Sequence, residues 1–244
     1  MAGGWMEKIA TGIEGLDEIL FGGIPVKDQV IVAGGPGSGK TLLGFEILYR
    51  NAKKGIPGVL ITLEENPDNV LKNAKEAFAD FNDIDALISK NMLTISGEET
   101  ARRLLNDDGT STYTFGNMVA DIEEMIKRVG AKLIVVDSIS LFKLVLGDDL
   151  KYRRSMLALT SNLKRLGVTS LLIAETPSSE RSDLRFEPEY FIFDGILIMY
   201  QSGEGYKRTL TAEVVKMRGS DHSWALTPYE MTPSGFRMFT IGQS

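Results

Sequence analysis

The stretch Gly34-Gly35-Pro36-Gly37-Ser38-Gly39-Lys40-Thr41 decides the fold, because it matches the pattern G-x-x-x-x-G-K-[ST] at every position. Glycines allow backbone N–H groups to turn inward around phosphate oxygens, where a Cβ would obstruct them. The side chain of Lys40 is suited to the β- and γ-phosphates, and the Thr41 hydroxyl is suited to ligate Mg²⁺. The sequence therefore predicts that ATP and Mg²⁺ bind here, with the nucleotide-binding residues Gly35, Pro36, Gly37, Ser38, Gly39, Lys40, Thr41 and Leu42.

The sequence on either side of this phosphate loop argues against a glycine-rich turn that matches the pattern by chance. Gln29–Gly34 (QVIVAG) is an apolar run typical of a buried strand, and the residues from Lys40 to about Lys53 follow a helical pattern. A strand that leads in and a helix that leads out suit phosphate binding, since the start of the helix adds a positive dipole.

Beyond the loop, apolar runs alternate with helical patterns, which is typical of βαβ units and a mostly parallel sheet flanked by helices. From Phe191 onward the helical patterns end, and strands are predicted over residues 191–201, over residues 210–217 and near residues 236–241. We therefore expect an α/β fold with a C-terminal antiparallel β extension, in a single domain over residues 1–244. Residues 98–114 are the predicted flexible loop. The other predicted elements are strands at 58–63, 92–96, 132–137 and 169–174, and helices that begin at Pro67 and span 119–129 and 156–166.

Carboxylates are expected beside the loop, because the carboxyl ends of parallel strands meet at the ligand crevice. Asp137 ends the strand KLIVVD, which predicts that it holds Mg²⁺ directly or through water; the alternative is an aspartate that caps the next segment. Glu64 and Glu65 end the strand GVLITL, where a carboxylate is suited to orient or deprotonate the attacking water. Adjacent strand residues point in opposite directions, so one of the two should face the nucleotide. We expect Glu64 to be the catalytic base with Glu65 assisting, rather than both being helix-start charges before Pro67.

Composition excludes several classes of site. The chain has no cysteine, which rules out disulfides, thiol catalysis and cysteine-based zinc sites, and its one histidine is His222. The net charge of −6 gives no general attraction for nucleic acid or anionic lipid. The N-terminus lacks the basic start and apolar stretch of a signal peptide, and no apolar run approaches the ~20 residues of a membrane helix. We therefore expect a cytoplasmic protein with no membrane segment.

Four further segments, taken with the phosphate loop, give the chain a resemblance to a known family. They are residues 11–25 (TGIEGLDEILFGGIP), 64–67 (EENP), 135–138 (VVDS) and 216–222 (KMRGSDH). Together they resemble the KaiC-like branch of the RecA/RadA ATPase superfamily over residues 11–239, most specifically in the last segment. The resemblance implies a RecA-like P-loop fold and a homo-oligomeric ring, typically a hexamer, with ATP bound between subunits. The chain resembles a single-domain member, half the length of the double-domain circadian clock ATPase.

The last segment implies residues that act across the ring interface. By the resemblance, Lys216 and Arg218 are catalytic residues that reach the γ-phosphate of the neighbouring subunit's ATP, where arginine stabilises charge in phosphoryl transfer. Their spacing of two along a strand puts both side chains on the same face. Without the family motif, a solvated edge strand with protective charges would be the better interpretation. Ser220, His222 and Thr232 are expected near the neighbour's nucleotide.

Two positions depart from the family pattern. Lys27 stands where family members usually have glycine, two residues after the Gly-Gly-Ile-Pro turn. An ungapped alignment from Asp194 puts Tyr190 and Phe191 where the second domain of the clock protein phosphorylates an adjacent Ser-Thr pair. Because phenylalanine cannot accept phosphate, autokinase activity of that type is not expected, and the chain resembles the ATPase-type first domain.

Three functions fit these motifs, and the first is favoured. It is a ring-forming ATPase whose slow hydrolysis regulates or remodels a partner protein that the sequence does not name. The second is RecA-like binding of single-stranded DNA through two loops. The loop after Asp137 holds the basic cluster Lys151-Tyr152-Arg153-Arg154, which fits a helix start or a subunit contact equally well. The second loop, residues 177–189, carries two arginines and four acidic residues, whereas a channel for single-stranded DNA should be basic throughout. The third is a nucleotide-gated scaffold that binds ATP and hardly hydrolyses it.

Overall fold

A nine-stranded sheet forms the centre of the fold in the residues that the structure, a computed structural model, describes: 6–97, 114–184, 186–204 and 207–240. Six neighbouring strands are parallel, and three antiparallel strands extend one edge. The strands are β1 (Lys8–Ile9), β2 (Ile24–Pro25), β3 (Gln29–Gly34), β4 (Gly58–Thr62), β5 (Leu93–Ser96), β6 (Leu133–Asp137), β7 (Thr169–Glu175), β8 (Gly195–Glu204), β9 (Lys207–Met217), β10 (Thr227–Thr232) and β11 (Gly235–Met238). Strands β1 and β2 form a separate pair, and the order of the large sheet is β11-β10-β9-β8-β3-β7-β6-β4-β5.

Helices cover both faces of this sheet. They are α1 (Leu16–Ile19), α2 (Lys40–Lys53), α3 (Pro67–Ala77), α4 (Ile84–Ser89), α5 (Phe115–Val129), α6 (Ser140–Leu146) and α7 (Asp149–Leu166), and short 3₁₀ turns cover Arg181–Asp183 and Pro188–Ile192. Among the helices that the structure describes, none combines the length and apolar character needed to cross a membrane.

Two apolar cores lie on opposite faces of the sheet, because successive strand residues point to opposite sides. Val30 and Val32 of β3 pack in one core with α2, α3 and the β10–β11 hairpin. Ile31 and Ala33, their neighbours along the strand, pack in the other core with α5, α6 and α7. Burial on both faces explains why β3 and β6 are nearly continuous apolar runs.

The observed architecture confirms the expected α/β class with its antiparallel C-terminal part. Helix α2 has the predicted bounds, and α5 and α7 end at Gly130 and Gly167, which adopt the left-handed conformation that closes a helix. Helix α3 begins at Pro67 as predicted, after the Asn66 side chain accepts a hydrogen bond from the backbone N–H of Asp68. The predicted flexible loop, except for Thr114, lies outside the described residues.

Two predictions about local structure are wrong, and several elements were not predicted. The strand predicted from Phe191 begins at Gly195, because Pro188 starts a 3₁₀ turn in which the Tyr190 N–H bonds to the Glu187 carbonyl. The predicted loop after Asp137 is helical: α6 follows almost at once, and the Asp148 side chain caps α7. The sequence analysis also did not predict strands β1, β2 and β10 or the short helices α1 and α4.

Candidate functional site

The phosphate loop (residues 34–41) connects β3 to α2 and is held in one conformation by its own side chains. Ser38 Oγ donates to the Gly35 carbonyl over 2.9 Å, and Lys40 Nζ donates to the same carbonyl over 2.9 Å. Gly39 has a φ of 86° and a Cβ there would lie 2.8 Å from the Met231 sulfur, so neither the conformation nor the space suits another residue. The glycine that the sequence pattern requires at this position is thus also required by the conformation of the loop.

Lys40 is buried at the floor of the site. Burial lowers the pKa of its ammonium group, while the carboxylates of Glu175, Asp137 and Glu64 act in the opposite direction. A cation enclosed by three carboxylates is suited to a polyanionic ligand that brings its own metal ion, because the metal offsets the carboxylates while the ammonium group meets the phosphates.

Asp137 lies directly across from the loop, at the end of β6. The Thr41 hydroxyl donates to Asp137 Oδ2 over 2.5 Å. Burial raises the pKa of Asp137 to about 6, and the Glu64 and Glu65 carboxylates add to the rise, whereas Thr41 and Lys40 oppose it. The Asp137 carboxylate and the adjacent Thr41 hydroxyl are the hard oxygen ligands that Mg²⁺ prefers.

The residues present fit magnesium bound with a nucleotide rather than a metal held by protein alone. In the part of the chain that the structure describes, no group of three or more acidic or histidine side chains is placed to hold a metal ion. Thr41 and Asp137 supply one hydroxyl and one carboxylate, and Mg²⁺ commonly completes its shell with phosphate oxygens and water.

The two glutamates after β4 have different environments. Strand β4 ends at Thr62, so Glu64 and Glu65 lie in the bend that follows, and the expected alternation along a strand does not apply to them. Ser138 Oγ donates to Glu64 Oε1 over 2.7 Å, which holds this carboxylate beside Asp137. Asn73 Nδ2 donates to Glu65 Oε1 over 3.0 Å. Both carboxylates therefore face the region of the loop, each with its own hydrogen-bond donor.

A cleft of roughly 360 Å³ opens beside these residues. Its walls include the predicted residues Pro36, Gly37, Gly39, Lys40, Thr41, Leu42, Glu65 and Asp137. Three further lining residues were missed by the sequence analysis: Val70, Asn73 and Glu175. Glu175 pairs with Gly34 across β7 and β3, and register between strands distant in sequence gives no local signal.

The β10–β11 hairpin packs against the loop from the side. Tyr229 OH donates to the Ser38 carbonyl over 2.6 Å, and the buried Glu46 of α2 accepts the backbone N–H of Phe236 over 2.7 Å. The Glu46 carboxylate also accepts from Arg50 Nε over 2.6 Å. Burial raises the pKa of Glu46, while the hydrogen bonds from Phe236 and Arg50 act to lower it. The C-terminal hairpin is thus bonded to both the loop and the helix that follows it.

Lys216 and Arg218 lie at the opposite end of the sheet from the loop. The backbone N–H of Arg218 bonds to Asp194 O, and that of Asp194 bonds to Gln29 O at the first residue of β3. The loop follows the last residue of β3, five residues or about 16 Å farther along the strand. Both side chains bond to the Phe191 carbonyl, Arg218 over 2.9 Å and Lys216 over 3.4 Å, so they share one face. The structure does not bring them to the loop of their own chain.

The remaining predicted nucleotide residues fall in two places. Ser220 and His222 follow β9; the His222 ring bonds to the Ser223 carbonyl and lies 4.8 Å from the Trp224 ring. Thr232 lies on the β10–β11 hairpin, where its hydroxyl donates to Gly235 O beside α2. Thr232 thus contacts different residues from Ser220 and His222, and their expected proximity to a neighbour's nucleotide stays a prediction.

The basic cluster considered for DNA lies within α7 rather than in a loop. Tyr152 is buried against the second core, and Arg153 reaches the Pro188 carbonyl over 3.4 Å. A buried ring is not available to stack on a base.

Known proteins are similar to this chain over nearly its whole length. Residues 9–243 match the family model described as "ATPase: KaiC". A UPF0273 protein of Aeropyrum pernix is 31% identical over 236 residues, covering 96% of this chain and 94% of that protein. The circadian clock oscillator protein KaiC 1 of Synechocystis is 30% identical over 238 residues, covering 97% of this chain and 45% of that protein. The chain therefore spans about half the length of the clock proteins it matches.

A solved structure agrees with the sequence relatives. The crystal structure of a KaiC-like protein from the hyperthermophilic archaeon Pyrococcus horikoshii superposes with a TM-score of 0.81 at 28% sequence identity. The match covers 96% of this chain and 100% of that chain. The structural similarity thus extends over nearly the whole chain.

Proposed function

This chain belongs to the KaiC family of ATPases, and from that premise we propose that it hydrolyses ATP at the subunit interfaces of a homo-oligomeric ring. ATP and Mg²⁺ bind in the cleft beside the phosphate loop of one subunit. Lys216 and Arg218 of the next subunit complete the site. The ring, a hexamer in this proposal, uses the nucleotide cycle to regulate or remodel a partner protein.

One observation carries this proposal. The phosphate loop, Asp137 and the two glutamates meet at one end of the parallel strands, whereas Lys216 and Arg218 lie at the other end, about 16 Å along β3. A subunit cannot bring both sets to one nucleotide, but a head-to-tail interface does so in a closed ring. The half-exposed Arg218 is then an arginine finger supplied in trans.

Each residue of the site has a role in phosphoryl transfer. Lys40 and the loop N–H groups bind the phosphates, and Thr41 with Asp137 would hold Mg²⁺, which supplies positive charge to the phosphate oxygens when bound. Glu64, oriented by Ser138, accepts a proton from the attacking water, and Glu65 assists from the Asn73 side of the cleft.

A subunit-mixing experiment tests the proposal. Lys40→Ala subunits cannot bind ATP but still present Arg218, whereas Arg218→Ala subunits bind ATP but lack the finger. Each variant alone should release phosphate far more slowly than the wild type. In mixed rings about a quarter of the interfaces pair an intact loop with an intact finger, so mixing should restore turnover in proportion. Light scattering with and without ATP checks that rings form.

The outcome of mixing separates the arrangements. If both variants assemble and the mixture stays as slow as its components, the site is not shared between subunits. If Arg218→Ala alone keeps wild-type turnover in a verified ring, the in-trans role is wrong.

The two other functions have less support from the structure. For DNA binding, the aromatic ring of the basic cluster is buried, which removes the stacking surface expected of a single-strand site. Glu64→Gln distinguishes an ATPase from a scaffold that only binds ATP. The substitution would abolish most of the hydrolysis by an ATPase, whereas it would leave the behaviour of a scaffold unchanged.

A further inference from the structure

The buried carboxylate of Asp194 lies between the start of β3, helix α7 and Arg218. We propose that Asp194 is a positioning residue, which fixes the Arg218 guanidinium in the orientation that it presents to the neighbouring subunit. This inference deepens the proposed function and rests on it, because it concerns the finger of the same shared site.

Asp194 is anchored by several contacts besides the one with Arg218. It is 4% exposed, its backbone N–H bonds to the Gln29 carbonyl over 2.8 Å, and its Oδ2 accepts the Gln29 N–H over 3.0 Å. Its Oδ1 accepts from Lys164 Nζ of α7 over 2.7 Å. Backbone and side chain are therefore both anchored to regular elements, which is what a supporting group for a catalytic side chain requires.

Arg218 has a contact through each of its two terminal nitrogens. Its NH1 lies 3.6 Å from Asp194 Oδ1, and its NH2 donates to the Phe191 carbonyl over 2.9 Å. The side chain is nonetheless 54% exposed. The two contacts restrict rotation of the guanidinium while about half of the side chain stays exposed to solvent. A planar group with fixed donors loses little further freedom on meeting a phosphate.

The ion pair is not required merely to neutralise Asp194. Lys164 already gives that carboxylate a shorter partner, at 2.7 Å compared with 3.6 Å for Arg218. Lys216 shares the Phe191 carbonyl with Arg218 but has a shorter bond of its own, over 2.6 Å to the Phe193 carbonyl, so its orientation depends less on Asp194. Removal of the Asp194 charge should therefore affect the orientation of Arg218 more than that of Lys216.

The test is the effect of Asp194→Asn on steady-state ATP hydrolysis, alone and combined with Arg218→Ala. Asparagine keeps the size of the side chain and an acceptor for the Gln29 N–H, but removes the charge that orients the guanidinium. We expect kcat to fall about tenfold with little change in the KM for ATP, since the nucleotide cleft is untouched. In the Arg218→Ala background the same change should have no further effect on kcat.

Lys164→Met is the matched control, because it removes the other side-chain partner of Asp194 and leaves Arg218 in place. It should retain wild-type kcat. If Asp194→Asn fails to assemble by light scattering, Asp194→Ser, which keeps a hydrogen-bond acceptor in less volume, is measured in the same way and should show the same split between kcat and KM.

Two opposing outcomes are distinguishable. In the first, Arg218→Ala lowers kcat, but the Asp194 variants either leave kcat unchanged or lower it equally in the presence and absence of Arg218. Asp194 then does not position the finger, and the proposed function stands. If Arg218→Ala leaves kcat unchanged in an assembled ring, the in-trans function fails and the positioning role fails with it.

Discussion

The Thr41 hydroxyl donates a 2.5 Å hydrogen bond to Oδ2 of Asp137, which joins the first turn of α2 to the end of β6. The two residues are 96 positions apart in the sequence, and the parallel sheet brings them together because β3 and β6 end at the same edge. This contact puts a hydroxyl and a carboxylate oxygen where a magnesium ion on the nucleotide would need them.

Thr41→Ala should therefore weaken ATP binding mainly when Mg²⁺ is present. Loss of a hydroxyl ligand is expected to lower the affinity for Mg·ATP about 10- to 100-fold, by analogy with other groups around metal sites. Isothermal titration with ATP, with and without Mg²⁺, measures both affinities. Thr41→Ser keeps the hydroxyl and should bind like the wild type; equal Mg·ATP affinity in the alanine variant would contradict the assignment.

Glu64→Gln and Glu65→Gln should separate the roles of the two glutamates. Glutamine keeps the size of each side chain, so ATP should still bind. Removing a general base costs roughly 10²- to 10⁴-fold in rate, and we expect that loss for Glu64→Gln and a smaller one for Glu65→Gln. Phosphate release and ATP binding are measured in parallel. The reverse order would make Glu65 the base, as its place in the cleft wall permits.

The parts of the fold that the sequence predicted well are those with strong local signals. Helix α2 begins after the loop glycines, and α7 ends at Gly167, so both are bounded by residues with special backbone conformations. Strand β10 was missed because only Thr227 and Tyr229 of TPYEMT are buried, which leaves almost no apolar pattern. The strand from Phe191 was begun too early because FIF continues the apolar run across a 3₁₀ turn.

The candidate site likewise contains residues that the sequence predicted and residues that it did not. Short sequence motifs identify Lys40, Thr41 and Asp137, and the structure brings these three residues together. Glu175 and Asn73 line the same cleft without a motif, because their positions depend on sheet register and on the packing of α3. The distance between Arg218 and the loop of its own chain follows from the position of β8 beside β3, which no pattern in the sequence specifies.

Tyr229→Phe tests whether the C-terminal hairpin supports the phosphate loop. The change removes the donor to the buried Ser38 carbonyl, so we expect the free energy of unfolding to fall by about 1–2 kcal/mol and ATP affinity to fall several-fold. Urea denaturation and ATP titration give the two values. Tyr49→Phe is the control, since it removes a bond to Asp83 away from the nucleotide cleft. Tyr49→Phe should lower stability without affecting ATP affinity. If Tyr229→Phe and Tyr49→Phe lowered ATP affinity equally, the hairpin would have no specific role in supporting the phosphate loop.

Asp28 should make the protein less stable as the pH rises through about 6. Burial, followed by the neighbouring Asp194 carboxylate, raises the pKa of Asp28 to about 6 from an ordinary value of 3.8, and Oδ2 has no hydrogen-bond partner among the described residues. Between these values the folded protein holds a proton that the unfolded chain has lost, so the free energy of unfolding decreases with increasing pH.

Asp28→Asn removes this charge. It should be more stable than the wild type at pH 7.5, by about 1 kcal/mol after solvent screening is allowed for, and the difference should narrow at pH 4.5. Urea midpoints of both proteins at the two pH values provide the measurement. Asp183→Asn, at an exposed carboxylate, serves as the control. A difference of the same size at both pH values would contradict the role of Asp28.

Lys27→Gly should stabilise the protein, although glycine usually destabilises. Lys27 has a φ of 68°, and its N–H donates to Thr169 Oγ1 over 2.8 Å, a backbone bond that glycine keeps. Left-handed backbone costs a residue with a Cβ about 1–2 kcal/mol, whereas the added freedom of glycine in the unfolded chain costs about 0.5–1 kcal/mol. The free energy of unfolding from urea denaturation should therefore rise by up to about 1.5 kcal/mol. Lys72→Gly, inside α3, should lower it by about 1 kcal/mol, and equal losses in the two variants would show that the Lys27 backbone is not strained.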